Sequence, residues 1–237
     1  MPALKLTVLS LRYSSWSMRP WLVLTHAGAK FETETVDLGP DYGTPKAPPL
    51  ALRRKLGSVR GLFPVLRVDG TPIHESLAIC EYAAETFPQA ELWPSNAVQR
   101  AEARAICCEM LSGFGNLRQQ LSCALFARVT YFTPNEAASS DIARVFEIWS
   151  EKLDRSGGPF LFGQFSIADA MFYPVGTRLR TYGVAVPDTL RPYAAALDSH
   201  PAVRALVELA RSAPRIAAYD AAIRKLGGEP DAALNSR

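Results

Sequence analysis

The chain has 237 residues, of which 48% are hydrophobic and 21% charged, with a formal net charge of +3. So even a balance gives no basic face for a nucleic acid, and no run of eighteen apolar residues is present to cross a membrane. The N-terminus lacks a basic stretch leading into a long apolar core, so a cytoplasmic protein is expected, with one large domain or two small ones sharing an interface.

Leu4 to Leu11 places Leu4, Leu6 and Val8 at alternate positions, the pattern of a short buried strand. Tyr13-Ser14-Ser15-Trp16-Ser17-Met18-Arg19-Pro20-Trp21 follows and leads into a helix. Trp21, Leu22, Val23, Leu24 and Ala27 form its apolar pattern, which stops at Gly28. Pro20 suits the first turn, where its missing N–H would have no partner. Ser14, Ser15 and Ser17 therefore stand at a strand-to-helix turn, beside unpaired amides and the positive end of a helix dipole, a place to hold an anion. Serine is also a preferred N-cap, and capping alone would account for one of the three.

Phe31 to Val36 alternates and is predicted to pair with the first strand in parallel across the helix. From Asp37 to Leu62, four prolines and several glycines make a long irregular connection with room for one short helix around Leu50 to Leu56. Connections of that length are usually functional. Asp69-Gly70 between Phe63–Val68 and Thr71–His74 is a hairpin signal, and Pro64 must begin its strand or lie at an edge. Glu75-Ser76 opens a helix over Leu77–Thr86, and Phe87 to Asn96, with two prolines, is a linker. Helices are then predicted over Ala97–Phe132, Asn135–Gly157, Ile167–Gly183 (kinked at Pro174), Leu190–Ser199 and Ala202–Leu226, with a frayed tail from Gly228. Ser166 and Asp169 have the spacing of a capping box.

Cys80, Cys107, Cys108 and Cys123 show neither metal-ligand spacing nor a C-x-x-C pair; all fall in helical patterns, and core packing is the expected role. No metal site is expected from them or from the scattered His26, His74 and His200. His26 falls near the end of the first helix, where a cation complements the dipole, and His200 precedes Pro201 at a helix start.

This order of elements, with Phe63-Pro64-Val65-Leu66, Glu75-Ser76-Leu77-Ala78-Ile79 and Phe165-Ser166-Ile167-Ala168-Asp169, resembles the cytosolic glutathione transferases over residues 4 to 225. The turn Ser14-Ser15-Trp16-Ser17-Met18-Arg19 is similar to the S-S-C-S-W-R pattern of the zeta class. Glu109 to Phe114 with Leu117-Arg118, and Pro174 to Gly183, resemble a proteobacterial branch. The resemblance implies an α/β thioredoxin-like domain (β-α-β-α-β-β-α) over residues 1–86 that binds glutathione as cosubstrate. A linker over 87–96 and an all-α domain over 97–237 supplying the electrophile pocket would follow. It implies a cis bond before Pro64, backbone pairing of Val65 with glutathione, and a Glu75–Ser76 pair holding the γ-glutamyl end, with Phe63 in the same motif. Trp16, Met110, Phe114, Arg118, Arg178 and Tyr182 are the expected pocket residues. A homodimer is implied, through Leu77–Thr86 and the start of the next helix.

The chemistry implied is activation of a thiol. Lowering a thiol pKa from about 8.5 to about 6.5 takes about 2.7 kcal/mol. A hydroxyl donating to the charged sulfur supplies roughly 1.5–3 kcal/mol, and a helix N-terminus about 0.3–1 kcal/mol more. Ser14 or Ser15 is the expected donor, with Ser17 and Arg19 supporting the turn.

The chain also departs from the family. Trp16 replaces the zeta cysteine, which disfavours thiol–disulfide reduction. Leu62 stands where many members carry a cation, leaving Lys55, Arg60 or Arg67 for the glycyl carboxylate. Leu111 replaces a histidine of similar bacterial sequences, and Thr181 occupies the position of the zeta arginine. Three functions follow: conjugation of glutathione to an electrophilic carbon, isomerisation of the maleylacetoacetate type, and glutathione or partner binding without turnover.

Overall fold

The computed structural model describes residues 2–37, 54 and 61–232. Of the helix expected around Leu50 to Leu56, only Arg54, helical and exposed, is described; Lys55 and Arg60 lie outside the described residues. Strand β1 (Leu4–Val8) runs parallel to β2 (Phe31–Thr35) across helix α1 (Ser15–His26), and antiparallel to β3 (Val65–Val68), which pairs with β4 (Thr71–His74). The sheet order is β2-β1-β3-β4, so β1 and β3 are central. Pro64 lies just ahead of the central strand β3, where no ladder bond is asked of it. The Phe63–Pro64 bond is cis. Asp69 (φ +47°) and Gly70 (φ +88°) both take the left-handed region that a two-residue hairpin turn requires.

Helix α2 (Ser76–Thr86) packs against α1, and Phe87, Leu92 and Trp93 of the following segment are buried rather than free as a tether. The helical unit comprises α3 (Ala97–Ser112), α4 (Gly115–Gln120), α5 (Glu136–Ser156), α6 (Ile167–Thr181), α7 (Arg191–Ser199), α8 (Pro201–Arg211) and α9 (Ala217–Lys225). The helix expected over Ala97–Phe132 is thus two helices and an irregular strap. It breaks at Gly113, and Phe114 takes φ +57° at the start of α4. The strap is held by partners distant in the chain: the Thr181 side chain donates through Oγ1 to Ala124 O at 2.9 Å, and Leu125 N donates to the backbone carbonyl of Arg12 at 2.8 Å. The stretch Ala202–Leu226 likewise divides into α8 and α9, with Pro214 in the break. Cys123 therefore lies in the strap and not in a helix, and Cys108 is exposed, while Cys80, Cys107 and Cys123 are buried as expected.

Helix α1 is the centre of the fold. It packs on α2 on one side and on α6 and α8 on the other, and Ser17, Met18, Leu22, Val23 and Leu24 are fully buried. A helix enclosed all round buries even its charged member: Arg19 is 2% exposed and its Nε donates to Met171 O of α6 at 3.2 Å. Asp169, fully buried at the start of α6, accepts from Ser166 N, Ser166 Oγ and Leu161 N at 2.8–3.1 Å, so the expected return arm of the capping box is present.

Candidate active site

The end of β1 delivers the chain into the turn that starts α1. Ser14 is the N-cap: its Oγ accepts from Ser17 N at 3.2 Å and donates to Ser17 Oγ at 2.9 Å. Ser17 is fully buried and accepts from Leu9 N at 3.3 Å, tying the helix start back to the strand. Ser15, 4% exposed, differs from both. Its Oγ accepts from Arg178 Nη2 at 3.2 Å, and no acceptor for its own proton is found among the described residues.

Two cavities meet at this turn, sharing Trp16, Leu62 and Phe63. One, about 300 Å³, is lined by Tyr13, Ser14, Ser15, Arg118, Ser122, Cys123, Arg178 and Tyr219. The other, about 590 Å³, is bordered by Pro64, His74, Glu75, Ser76, Leu111 and Ser112. At its far end Glu75 caps α2 at φ +78°, a costly backbone for a residue with a Cβ. Its carboxylate accepts from Leu77 N and from Ser76 Oγ, each at 2.9 Å. The exposed Glu75 and the helix-start amides thus offer a carboxylate and an anion site side by side.

Three arginines converge behind the serines. Arg178 is 6% exposed, with Nη1 donating to Leu121 O; Arg118, half-buried, donates to Met110 O at 3.1 Å; Arg19 lies over the Trp16 ring at 4.7 Å with Nη1 unpartnered. None has a carboxylate within ion-pair distance among the described residues, although Arg118 feels the charge of Asp141. Burial, and then the positive charges of Arg178 and Arg118, pull the Arg19 guanidinium down to about 10. The turn therefore sits in a strongly positive field. Burial pushes the thiols of Cys80 and Cys107 well up, so neither of these two competes as a nucleophile there.

Residues 13–86 match the glutathione S-transferase N-terminal domain and residues 133–223 the C-terminal domain of the same family. The mouse protein named maleylacetoacetate isomerase is 30% identical over 162 residues, covering 68% of this chain and 72% of that protein. The chain belongs to the glutathione S-transferase family. A probable maleylacetoacetate isomerase 2 of Drosophila melanogaster is 32% identical over 149 residues, 60% of this chain and 63% of the relative, so this chain spans under two thirds of that protein. Among solved structures, a glutathione transferase homolog from Burkholderia with bound glutathione superposes with a TM-score of 0.67 at 26% identity, covering 90% of this chain and all of that one.

The transferase fold brings most of the sequence-predicted residues together. Ser14, Ser15, Trp16, Arg118 and Arg178 line the smaller cavity, and Phe63, Pro64, Glu75 and Ser76 the larger. Val65 is fully buried at the start of β3. Met110 and Phe114 are buried in the helical core and border neither cavity; Leu111 and Ser112 do so instead. Tyr182 is also buried, its hydroxyl held 2.7 Å from Ser122 Oγ and its ring against Phe132. Arg180 turns away from the site to Asp198, and Arg67 lies mid-strand in β3. Tyr13, His74, Ser122, Cys123 and Tyr219 are site residues that sequence reasoning missed. For Tyr219 the signal was Pro214, which separates α9 and lets it fold back onto the turn.

Proposed function

We propose that the chain is a glutathione transferase that activates the thiol of glutathione through Ser15 at the start of α1 for attack on an electrophilic carbon. The observation that carries this reading is the hydroxyl arrangement. Ser14 already donates to Ser17, whereas Ser15 accepts from Arg178 and keeps its proton for a ligand in the cavity it lines. The γ-glutamyl ammonium would meet Glu75 and its carboxylate the Ser76 end of α2, with the cysteinyl part lying along Phe63–Pro64–Val65 toward Ser15. The Burkholderia homolog with bound glutathione supports this use of the fold. Calorimetry of glutathione binding from pH 5 to 9 tests it. Proton release near pH 7 in wild type and Ser14→Ala but not in Ser15→Ala is expected; release retained in Ser15→Ala would reject the assignment.

A second reading, glutathione-dependent isomerisation of the maleylacetoacetate type, is favoured by Arg118. This half-buried cation lines the smaller cavity without a carboxylate within ion-pair distance among the described residues, and could take an acidic substrate. The mouse and Drosophila relatives carry that name. Isomerisation leaves glutathione undiminished and conjugation consumes it, so the glutathione balance during turnover separates the two. Binding without turnover on any electrophile would instead mark a partner-binding member. The same reading includes a cytoplasmic homodimer through α2 and the start of α3, which sedimentation at micromolar protein would reject if only monomer were found.

A further inference from the structure

Arg178 is separated from Ser15 by 163 positions and reaches it from a different domain, off helix α6. It is a buried cation with no carboxylate within ion-pair distance among the described residues. An uncompensated charge in a protein interior is costly and is retained where an anion arrives from outside. Its two nitrogens are fixed on different partners, Nη1 on Leu121 O and Nη2 on Ser15 Oγ. Leu121 opens the strap that also contributes Ser122 and Cys123 to the cavity wall.

We propose that Arg178 is the positioning residue of thiol activation. By occupying a lone pair of Ser15 Oγ it turns the hydroxyl proton toward the cavity and strengthens it as a donor, and its charge is the counter-ion of the thiolate that forms. The sulfur's proton leaves to solvent; Ser15 keeps its own. Arg19 from α1 and Arg118 from α4 add to the same field, while Tyr13, Cys123 and Tyr219 are the other titratable groups around the cavity. The coupling also joins the two domains at the chemical step, since the cation belongs to one and the hydroxyl to the other. The proposal rests on the reading of Ser15 as thiol donor.

The test is titration of the thiolate absorbance of bound glutathione in wild type, Arg178→Gln, Arg178→Lys, Ser15→Ala and the Ser15→Ala/Arg178→Gln double variant. Arg178→Gln should raise the bound thiol pKa by about 1–2 units, the effect of removing a nearby opposite charge. Turnover should fall correspondingly at pH 6.5, recover toward pH 9, and leave KM for glutathione nearly unchanged. Arg178→Lys keeps a cation without the fork and should restore part of the shift; it also serves as the readout if the glutamine variant does not fold. In the Ser15→Ala background the glutamine substitution should add less than it does alone. Full additivity would overturn the role through Ser15, and a lower melting temperature with an unmoved pH profile would reduce Arg178 to a structural residue. An unshifted thiol pKa in wild type would remove the Ser15 reading itself, whereas a shift abolished by Ser15→Ala and untouched in both Arg178 variants would overturn this inference alone.

Discussion

The Tyr13 hydroxyl donates to Asp220 at 2.6 Å, so the phenol beside the serine turn is committed to helix α9 and not to the cavity it lines. Burial and the Asp220 carboxylate raise its pKa above the ordinary range. Tyr13→Phe should cost about 1–2 kcal/mol of stability, a hydrogen bond to a charged group, because Asp220 keeps its bond from Arg215 Nε at 2.8 Å. The pKa of bound glutathione should not move. Urea unfolding paired with the thiolate titration checks both halves.

Ser14 and Ser15 should separate by phenotype. Ser14→Ala removes the N-cap of α1 and should lower stability by about 1 kcal/mol, with kcat/KM changed only a few-fold. Ser15→Ala takes the acceptor from Arg178 Nη2 and should cost about 1–3 kcal/mol of stability. Unlike Ser14→Ala it should also lower kcat/KM by roughly 10–100-fold, the loss of about 1.5–3 kcal/mol of hydrogen bonding to a charged sulfur. Steady-state kinetics beside thermal melts would show the larger kinetic loss in Ser14→Ala if Ser14 were the donor.

His200 makes the fold sensitive to acid. It stacks on Phe165 at 3.9 Å between centroids, lies 5.0 Å from His26, and caps α8 through Nδ1, which accepts from Ala202 N at 3.3 Å. Burial, with the neighbouring His26, depresses it from 6.5 to about 4. Because the folded pKa lies below the unfolded one, the neutral ring favours the native state. That stabilisation is complete above pH 6.5 and is lost as pH falls toward 4. The loss should be about 1–2 kcal/mol allowing for partial exposure. His200→Asn keeps a capping acceptor and should flatten the stability profile in that window, measured by melts from pH 7.5 to 4.5.

Asp169 carries the start of α6, and with it the helix that holds Arg178. Asp169→Ala would leave the buried Ser166 and Leu161 amides without their acceptor, and a loss of about 3 kcal/mol or more is expected. Urea midpoints measure it; a change under 1 kcal/mol would show that the box is dispensable.

Much of this was legible locally. Gly70 after Asp69, the alternation of Leu4, Leu6 and Val8, and the Ser166–Asp169 spacing each state their structure within a few residues, and each formed as expected. The strap over residues 121–129 was not legible, because its apolar residues keep a helix-like spacing. Only distant partners such as Thr181 and Arg12 hold it away from helix. His26 failed for a related reason. Its position at the end of α1 suggested a cation for the dipole, but Phe165 and His200 cover it, and burial lowers its pKa. Met110, Phe114 and Tyr182 share the spacing of pocket residues, and only packing shows that they face the core. The pairing of Arg178 with Ser15 leaves no trace at short range.

The enclosure of α1 on both sides bears on how this protein can be divided. The recognisable N-terminal domain ends at residue 86, yet Arg19 donates to Met171, and the helix that buries Met18 and Leu22 packs on α6 and α8, which begin 80 or more residues after that boundary. A fragment cut at that boundary would carry the serines and Glu75 but show a greasy flank and a bare guanidinium to water. Grafting this domain onto a foreign helical partner would have to recreate that seat before any ligand could be expected to bind.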